Sequence, residues 1–131
     1  MIWAATTPET GLFSGLERHS ALADLADRFA RLRTLGRGYL EVRLPEADLP
    51  CLTLGFRNDH AVLHRYDESG GLSLHAGDGA TAPSTEVEVP IMNEPTEFTG
   101  DFILSTVRAW QIVHTFGRTG ASGEPGDWYG L

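Results

Sequence analysis

What constrains this chain most is a change in the period of its hydrophobic residues at Gly36. From His19 to Leu35 the apolar residues Leu22, Leu25, Ala26, Phe29, Leu32 and Leu35 recur at helical spacing and form one stripe. Ser20 is placed to cap the start. Asp24 with Arg28 and Asp27 with Arg31 stand four apart in the favoured acid-first order, and Gly36 supplies the stop. Beyond it Leu40, Val42 and Leu44 alternate with Tyr39, Glu41 and Arg43 until Pro45, which is the pattern of a half-buried strand. The chain therefore has to combine helix with sheet.

The alternation continues. Leu52, Leu54 and Phe56 mark a second strand, Asn58-Asp59 a turn, and His60 to about Tyr66 a third strand. Strands joined this tightly predict an antiparallel meander. Asp67-Glu68-Ser69-Gly70-Gly71 reads as a further turn before a short strand from Leu72 to His75. A loose segment from Ala76 to Thr85 precedes a strand around Glu86 to Ile91, with Val87 and Val89 toward the core and Glu86 and Glu88 toward water. Pro90 and Pro95 bracket an expected loop. Thr99 or Asp101 is then expected to cap a second helix, which carries Phe102, Ile103, Leu104, Val107, Trp110, Ile112, Val113 and Phe116 and is ended by Gly117 and Gly120. In the tail, Asp127-Trp128-Tyr129 is read either as a short edge strand or as a contact surface. These elements predict an α+β fold of one domain over residues 1–131: a single antiparallel β-sheet of about five or six strands packed against two α-helices, one N-terminal and one near the C-terminus.

A length of 131 residues suits one core, and such a chain buries roughly two-thirds of the surface its unfolded form exposes. The start Met1-Ile2-Trp3-Ala4-Ala5-Thr6-Thr7-Pro8 lacks the charged and apolar regions of a secretory signal, which predicts a cytoplasmic protein. Cys51 is the single cysteine, so an intrachain disulfide is impossible; a small buried hydrophobe is its expected role. The formal net charge is -8, from 18 acidic residues against 10 basic ones, all arginine. Residues 1–66 hold 8 acids and 8 arginines, whereas residues 67–131 hold 10 acids and 2 arginines. The whole net charge thus belongs to the second half. An acidic surface disfavours direct contact with nucleic acid or membrane and favours a basic protein partner.

No catalytic pattern stands out. His60 and His64 point the same way on a strand but lie about 13 Å apart, too far to share a metal, and His64 with His75 lacks a third ligand. Ser14, Ser69 and Ser73 lie outside any nucleophile elbow, and Gly77-Asp78-Gly79 is too short for a phosphate cradle. Glu86 and Glu88 share a strand face, which reads as a solvated face. One cysteine excludes the cysteine pair of a zinc deaminase. No cofactor is implied.

Leu54-Gly55-Phe56, the hairpin residues Val62-Leu63 and Tyr66, Val87 through Ile91, the ending Phe116-Gly117-Arg118-Thr119-Gly120 and the late Trp128 form a pattern over roughly residues 39–128. This pattern resembles the first-described family of immunity proteins in bacterial polymorphic toxin systems. The resemblance implies a cytosolic antidote, not an enzyme. It would bind and neutralise a cognate toxin domain, often a nucleic-acid deaminase or nuclease. Such a toxin binds polyanions and so exposes a basic groove, which an acidic inhibitor can occupy. On this reading Asp67, Asp78, Glu86, Glu88, Glu94, Glu97 and Asp127 are candidate pairing or steering charges. Tyr66, Trp128 and Tyr129 are candidate anchors, since tyrosine and tryptophan are enriched among interface hot spots. The alternative is a small ligand-binding domain or enzyme whose pocket lies between sheet and helices and uses His64, His75 and Asp67. An adaptor or secretion chaperone would read the same way.

Overall fold

The computed structural model describes residues 1–131, the side chain of Pro125 excepted. The elements run β1 (Ile2–Thr7), β2 (Leu12–His19), α1 (Leu22–Leu35), β3 (Arg37–Arg43), β4 (Cys51–Arg57), β5 (His60–Tyr66), β6 (Leu72–His75), β7 (Glu86–Ile91), β8 (Glu94–Thr99), β9 (Leu104–Ser105), α2 (Thr106–Thr119) and β10 (Trp128–Gly130). The α+β class and the two helices stand. The expected five or six strands do not: an 8-stranded sheet has the order β10-β6-β5-β4-β3-β1-β2, with β9 added beside β5, and β7 with β8 forms a separate 2-stranded sheet. The meander expected of β3, β4 and β5 is present, each strand antiparallel to the next, and the short strand expected at Leu72–His75 continues it as β6.

Two strands precede the helix that was expected to come first. β1 lies between β2 and β3, and Ile2 to Thr6 are all buried. A strand buried on both faces has no reason to alternate apolar with polar residues, which is why Ile2-Trp3-Ala4-Ala5-Thr6 carries no period of two. The helix itself starts at Leu22, one residue later than a cap at Ser20 would give. Ser20 does not cap it. Its hydroxyl instead accepts the Trp3 indole N–H at 3.0 Å, and Ala21 occupies the cap position without a side-chain bond. Gly36 ends it as expected, at φ 91°, where a residue with a Cβ is strained. The two pairs expected along α1 are also absent. Arg31 bonds Glu9 at 2.7 Å and Arg28 donates to the Thr6 carbonyl at 3.2 Å.

The chain around the second helix departs further. Pro90 and Pro95 do not bracket a loop. They face each other across β7 and β8, whose turn is Met92-Asn93. Prolines are tolerated because a two-stranded sheet consists only of edges, where a missing N–H need not break a ladder. After β8 the chain makes a single 3-10 turn at Gly100–Phe102 and pairs briefly with β5 as β9; α2 then begins at Thr106, capped by the Ser105 hydroxyl, which accepts from the Arg108 N–H at 3.2 Å. Thr99 and Asp101 are therefore not its cap. Ile103, extended just before β9, and Leu104 in β9 reach opposite core clusters, so this apolar pair is extended chain and not helix. Gly120 ends α2 at φ 79°, but Gly117 lies inside it, where a Cβ would run into Met1 and Leu22.

The pattern of helix, five strands and helix predicts a sheet covered on one face, but apolar clusters lie on both faces of the large sheet. On the first, Trp3, Leu40, Val42, Leu52, Leu54, Phe56 and Leu63 pack against Leu25, Phe29 and Leu32 of α1 and Ala109, Ile112, Val113 and Phe116 of α2. On the second, Val62 and Leu74 of the sheet meet Val89 and Ile103, with Val87, Phe98 and Phe102 alongside. The β7–β8 hairpin is the lid of this second core. It sits so close that a Cβ on Gly55 would collide with the Pro90 carbonyl oxygen.

Candidate protein-binding surface

Cross-strand register sorts the hairpin residues by face. Val87 opposite Phe98 and Val89 opposite Thr96 point down to the sheet, which leaves Glu86 opposite Thr99 and Glu88 opposite Glu97 pointing out. Val87 and Val89 toward the core and Glu86 and Glu88 toward water is the arrangement expected from the sequence. What the sequence could not show is β8, which places two carboxylates, Glu88 and Glu97, directly opposite each other. Like charges in that position destabilise a strand pair. Arg57 approaches Glu88 at 3.7 Å, both side chains being exposed, and among the described residues neither Glu86, Glu94 nor Glu97 has a cation within 4.0 Å. Glu94 stands exposed next to the turn.

The turn adds an apolar group that sequence reasoning missed. Met92 is 51% exposed and holds φ 57°, a left-handed conformation rare for a long side chain, while Asn93 beside it accepts the Phe13 N–H at 2.7 Å and ties the hairpin tip to β2. The only signal in the sequence was a methionine between two prolines. Tyr66 (41% exposed) and Tyr129 (55% exposed) lie on the same side of the sheet as the hairpin, because Tyr66 is opposite Leu72 and Tyr129 opposite Leu74, and Leu74 belongs to the hairpin-side core. Acids, two tyrosines and a methionine thus share one side of the molecule.

The remaining candidates do internal work. Asp67 accepts from Ser69 N–H, Ser69 hydroxyl and Gly71 N–H, and those bonds hold its carboxyl below the ordinary range. Burial pushes Asp78 up, but donation from the Ser105 and Ala80 amides outweighs it and lowers its value. Asp127 accepts the Glu124 N–H at 3.0 Å and closes the turn before β10. Trp128 pairs with His75 as a closing edge strand, the first of its two expected roles. It is only 7% exposed, donates to the Ser122 carbonyl at 2.7 Å and lies under Arg65 at 4.7 Å, which leaves little of it for a partner.

The alternative site does not assemble. His64 points to the hairpin side, edge-on to Phe98, and burial lowers its pKa. His75 points to the other face against Trp128, and Asp67 is held in its turn. Between sheet and helices, where that pocket was expected, Val42, Leu54 and Phe116 are buried in one cluster with Trp110 packed on it, its ring stacked on Phe29 at 4.4 Å. Among the described residues no three His, Cys, Asp or Glu side chains converge as metal ligands.

A second feature missed by sequence reading is a recess of about 190 Å³ on the hairpin side, walled by Ile2, Ala4, Gly15, Glu17, Glu41 and Cys51. Glu41 is half-buried there with no ion-pair partner among the described residues, and burial, then Glu17, raises its pKa. Burial and Glu41 push the Cys51 thiol up to about 11, and burial and Glu41 also raise Tyr66. Cys51 is half-buried, not fully buried as a core hydrophobe would be. Alternation had sent Glu41 to water. The recess exists because β1 pairs with β3 and β2 pairs with the far side of β1, and neither strand was legible.

No family model and no curated protein matches the chain. No helix is long and apolar enough to cross a membrane.

Proposed function

We propose that this chain is an antidote of the immunity-protein type, acting in the bacterial cytoplasm by binding a cognate toxin domain, without catalysis or cofactor. The observation that carries this reading is the outward face of the β7–β8 hairpin, where Glu88 stands opposite Glu97 with Glu86 on the same strand face. Such a juxtaposition costs folding free energy; the exposed Arg57 at 3.7 Å from Glu88 offsets little of it and leaves Glu97 unpaired among the described residues, so a cationic partner would gain the most there. A toxin that acts on nucleic acid, as a deaminase or nuclease does, exposes the basic groove that fits. Glu86, Glu88, Glu94 and Glu97 supply the charge in this account, with Tyr66, Tyr129 and Met92 as contact groups. Trp128, Asp67, Asp78 and Asp127 hold turns and the β10 edge in place and are not contact groups in this account.

The test is co-expression with the toxin encoded beside this gene. Rescue of growth and co-purification are expected for the wild-type chain. Glu88→Arg with Glu97→Arg should abolish both while far-UV circular dichroism stays unchanged. Growth arrest with the wild-type chain present would overturn the reading.

A further inference from the structure

We propose that the groove between β2 and the start of α1 binds a phosphate group, free or as a small monoester, through Arg18 and Arg28. The groove holds about 340 Å³ and includes Trp3, Arg18, Ser20, Asp24, Asp27 and Arg28 in its walls. It lies on the helix side of the sheet, in the electrically balanced half of the chain, and does not depend on the antidote reading.

Three observations converge there. First, the guanidiniums of Arg18 and Arg28 sit 5.5 and 5.3 Å from the centroid of one indole ring, that of Trp3, which is itself 3% exposed. Two cations on one ring repel each other. Burial, then Arg18 and Arg31, lowers the Arg28 pKa. Second, among the described residues neither guanidinium has a carboxylate within 4.0 Å, although Asp24 and Asp27 stand in the same groove. Arg28 spends one N–H on the Thr6 carbonyl, and the rest of both forks is uncommitted to any acid. Third, α1 opens on the groove without a side-chain cap, because the Ser20 hydroxyl that could have capped it is engaged by the Trp3 indole. The Asp24 N–H is taken by the Ala21 carbonyl at 3.0 Å, so what the start of α1 adds at this end of the groove is the positive end of its dipole.

Planar forks with paired N–H donors beside a helix N-terminus match the charge and geometry of a phosphate. A single carboxylate would leave much of that donor set unused. Asp24 and Asp27 oppose an anion, so the site is weaker than its arginines alone would make it, and this opposition is itself measurable.

The experiment follows the three tryptophan indole N–H resonances of the full chain, ¹⁵N-labelled, as inorganic phosphate or phenyl phosphate is added, with sodium chloride at equal ionic strength as control. Saturable movement of the Trp3 resonance by the phosphates, with Trp110 and Trp128 still, is expected. Equal affinity for the two probes assigns free phosphate, and tighter binding of phenyl phosphate assigns an ester. Arg18→Gln, on an exposed position of the edge strand β2, should weaken binding about tenfold, and Asp24→Asn should tighten it about threefold. Chloride moving Trp3 as far as phosphate does, or Arg18→Gln binding phosphate as the wild type does, would overturn the proposal. The unshifted Trp110 and Trp128 resonances report that the variant has folded.

Discussion

Glu41 is a carboxylate in the middle of a sheet face, and its surroundings set its chemistry. Burial, reinforced by Glu17, makes the folded chain hold this proton at a pH where the unfolded chain has lost it. The folded state then binds more protons than the unfolded one, so stability falls as pH rises from the ordinary carboxylate range through the raised value, and stays lower above it. Glu41→Gln should therefore stabilise the chain at about pH 7 by less than about 1 kcal/mol, half of the group still meeting water, and should change nothing at about pH 3. Urea melts at the two pH values check this; a loss of stability at the higher one would show that Glu41 has a cationic partner. Cys51 reads out the same recess. With its pKa pushed up to about 11 by burial and by Glu41, it stays protonated at neutral pH and is a poor nucleophile. Labelling by iodoacetamide at about pH 8 should run at least about tenfold slower than for a free thiol, and Glu41→Gln should speed it.

Among the elements, the hairpin depends on one glycine. Gly55 lies in β4 directly beneath Pro90, and its missing Cβ is the space the lid needs. Gly55→Ala improves strand propensity, yet it should cost about 1–3 kcal/mol by overpacking and speed amide exchange in β7 and β8 more than in β3 or β4. Denaturant melts with hydrogen exchange measure both; unchanged exchange in the hairpin would refute the close approach. The hairpin also marks where sequence reading stopped. α1 and the inward Val87 and Val89 were legible because each element has a wet face and so shows a clean period, and β4, though buried on both faces, was legible because Thr53 and Gly55 interrupt Leu52, Leu54 and Phe56 at every second position. β1 was not, since both its faces are covered and Ile2-Trp3-Ala4-Ala5 runs apolar at every position, with no alternation to mark a strand. β8 was hidden by Pro95 and by glutamates on both sides of its pleat, and Phe102, Ile103 and Leu104 read as helix because an extended segment that feeds two cores is apolar at consecutive positions. With β1, β2 and β8 unread, the two features they create, the Glu41 recess and the Glu88–Glu97 opposition, were beyond reach, although Glu86, Glu88, Glu94 and Glu97 were each picked out by charge alone.

For the whole molecule, a net charge of -8 is by itself an argument about solubility and association rate. It becomes an argument about a surface only where local geometry makes the charge costly. Glu97 allows the two to be separated. Replacing it with Gln removes the repulsion against Glu88 while changing net charge by one unit and leaving the inward-facing side of β8 intact. If the acids only keep the chain soluble, Glu97→Gln should gain stability, by about 0.2–1 kcal/mol, and have no effect on binding. If they meet a cationic partner, the same variant should gain that stability and associate more slowly with the toxin, with a shallower dependence of the association rate on ionic strength between about 0.05 and 0.3 M. Stopped-flow association with the toxin domain, set beside urea melts of the free chain, measures the two effects independently. Stability and association moving in opposite directions is the outcome expected of a surface kept for binding at a cost to folding. An association rate and salt slope equal to those of the wild type would remove Glu97 from the interface.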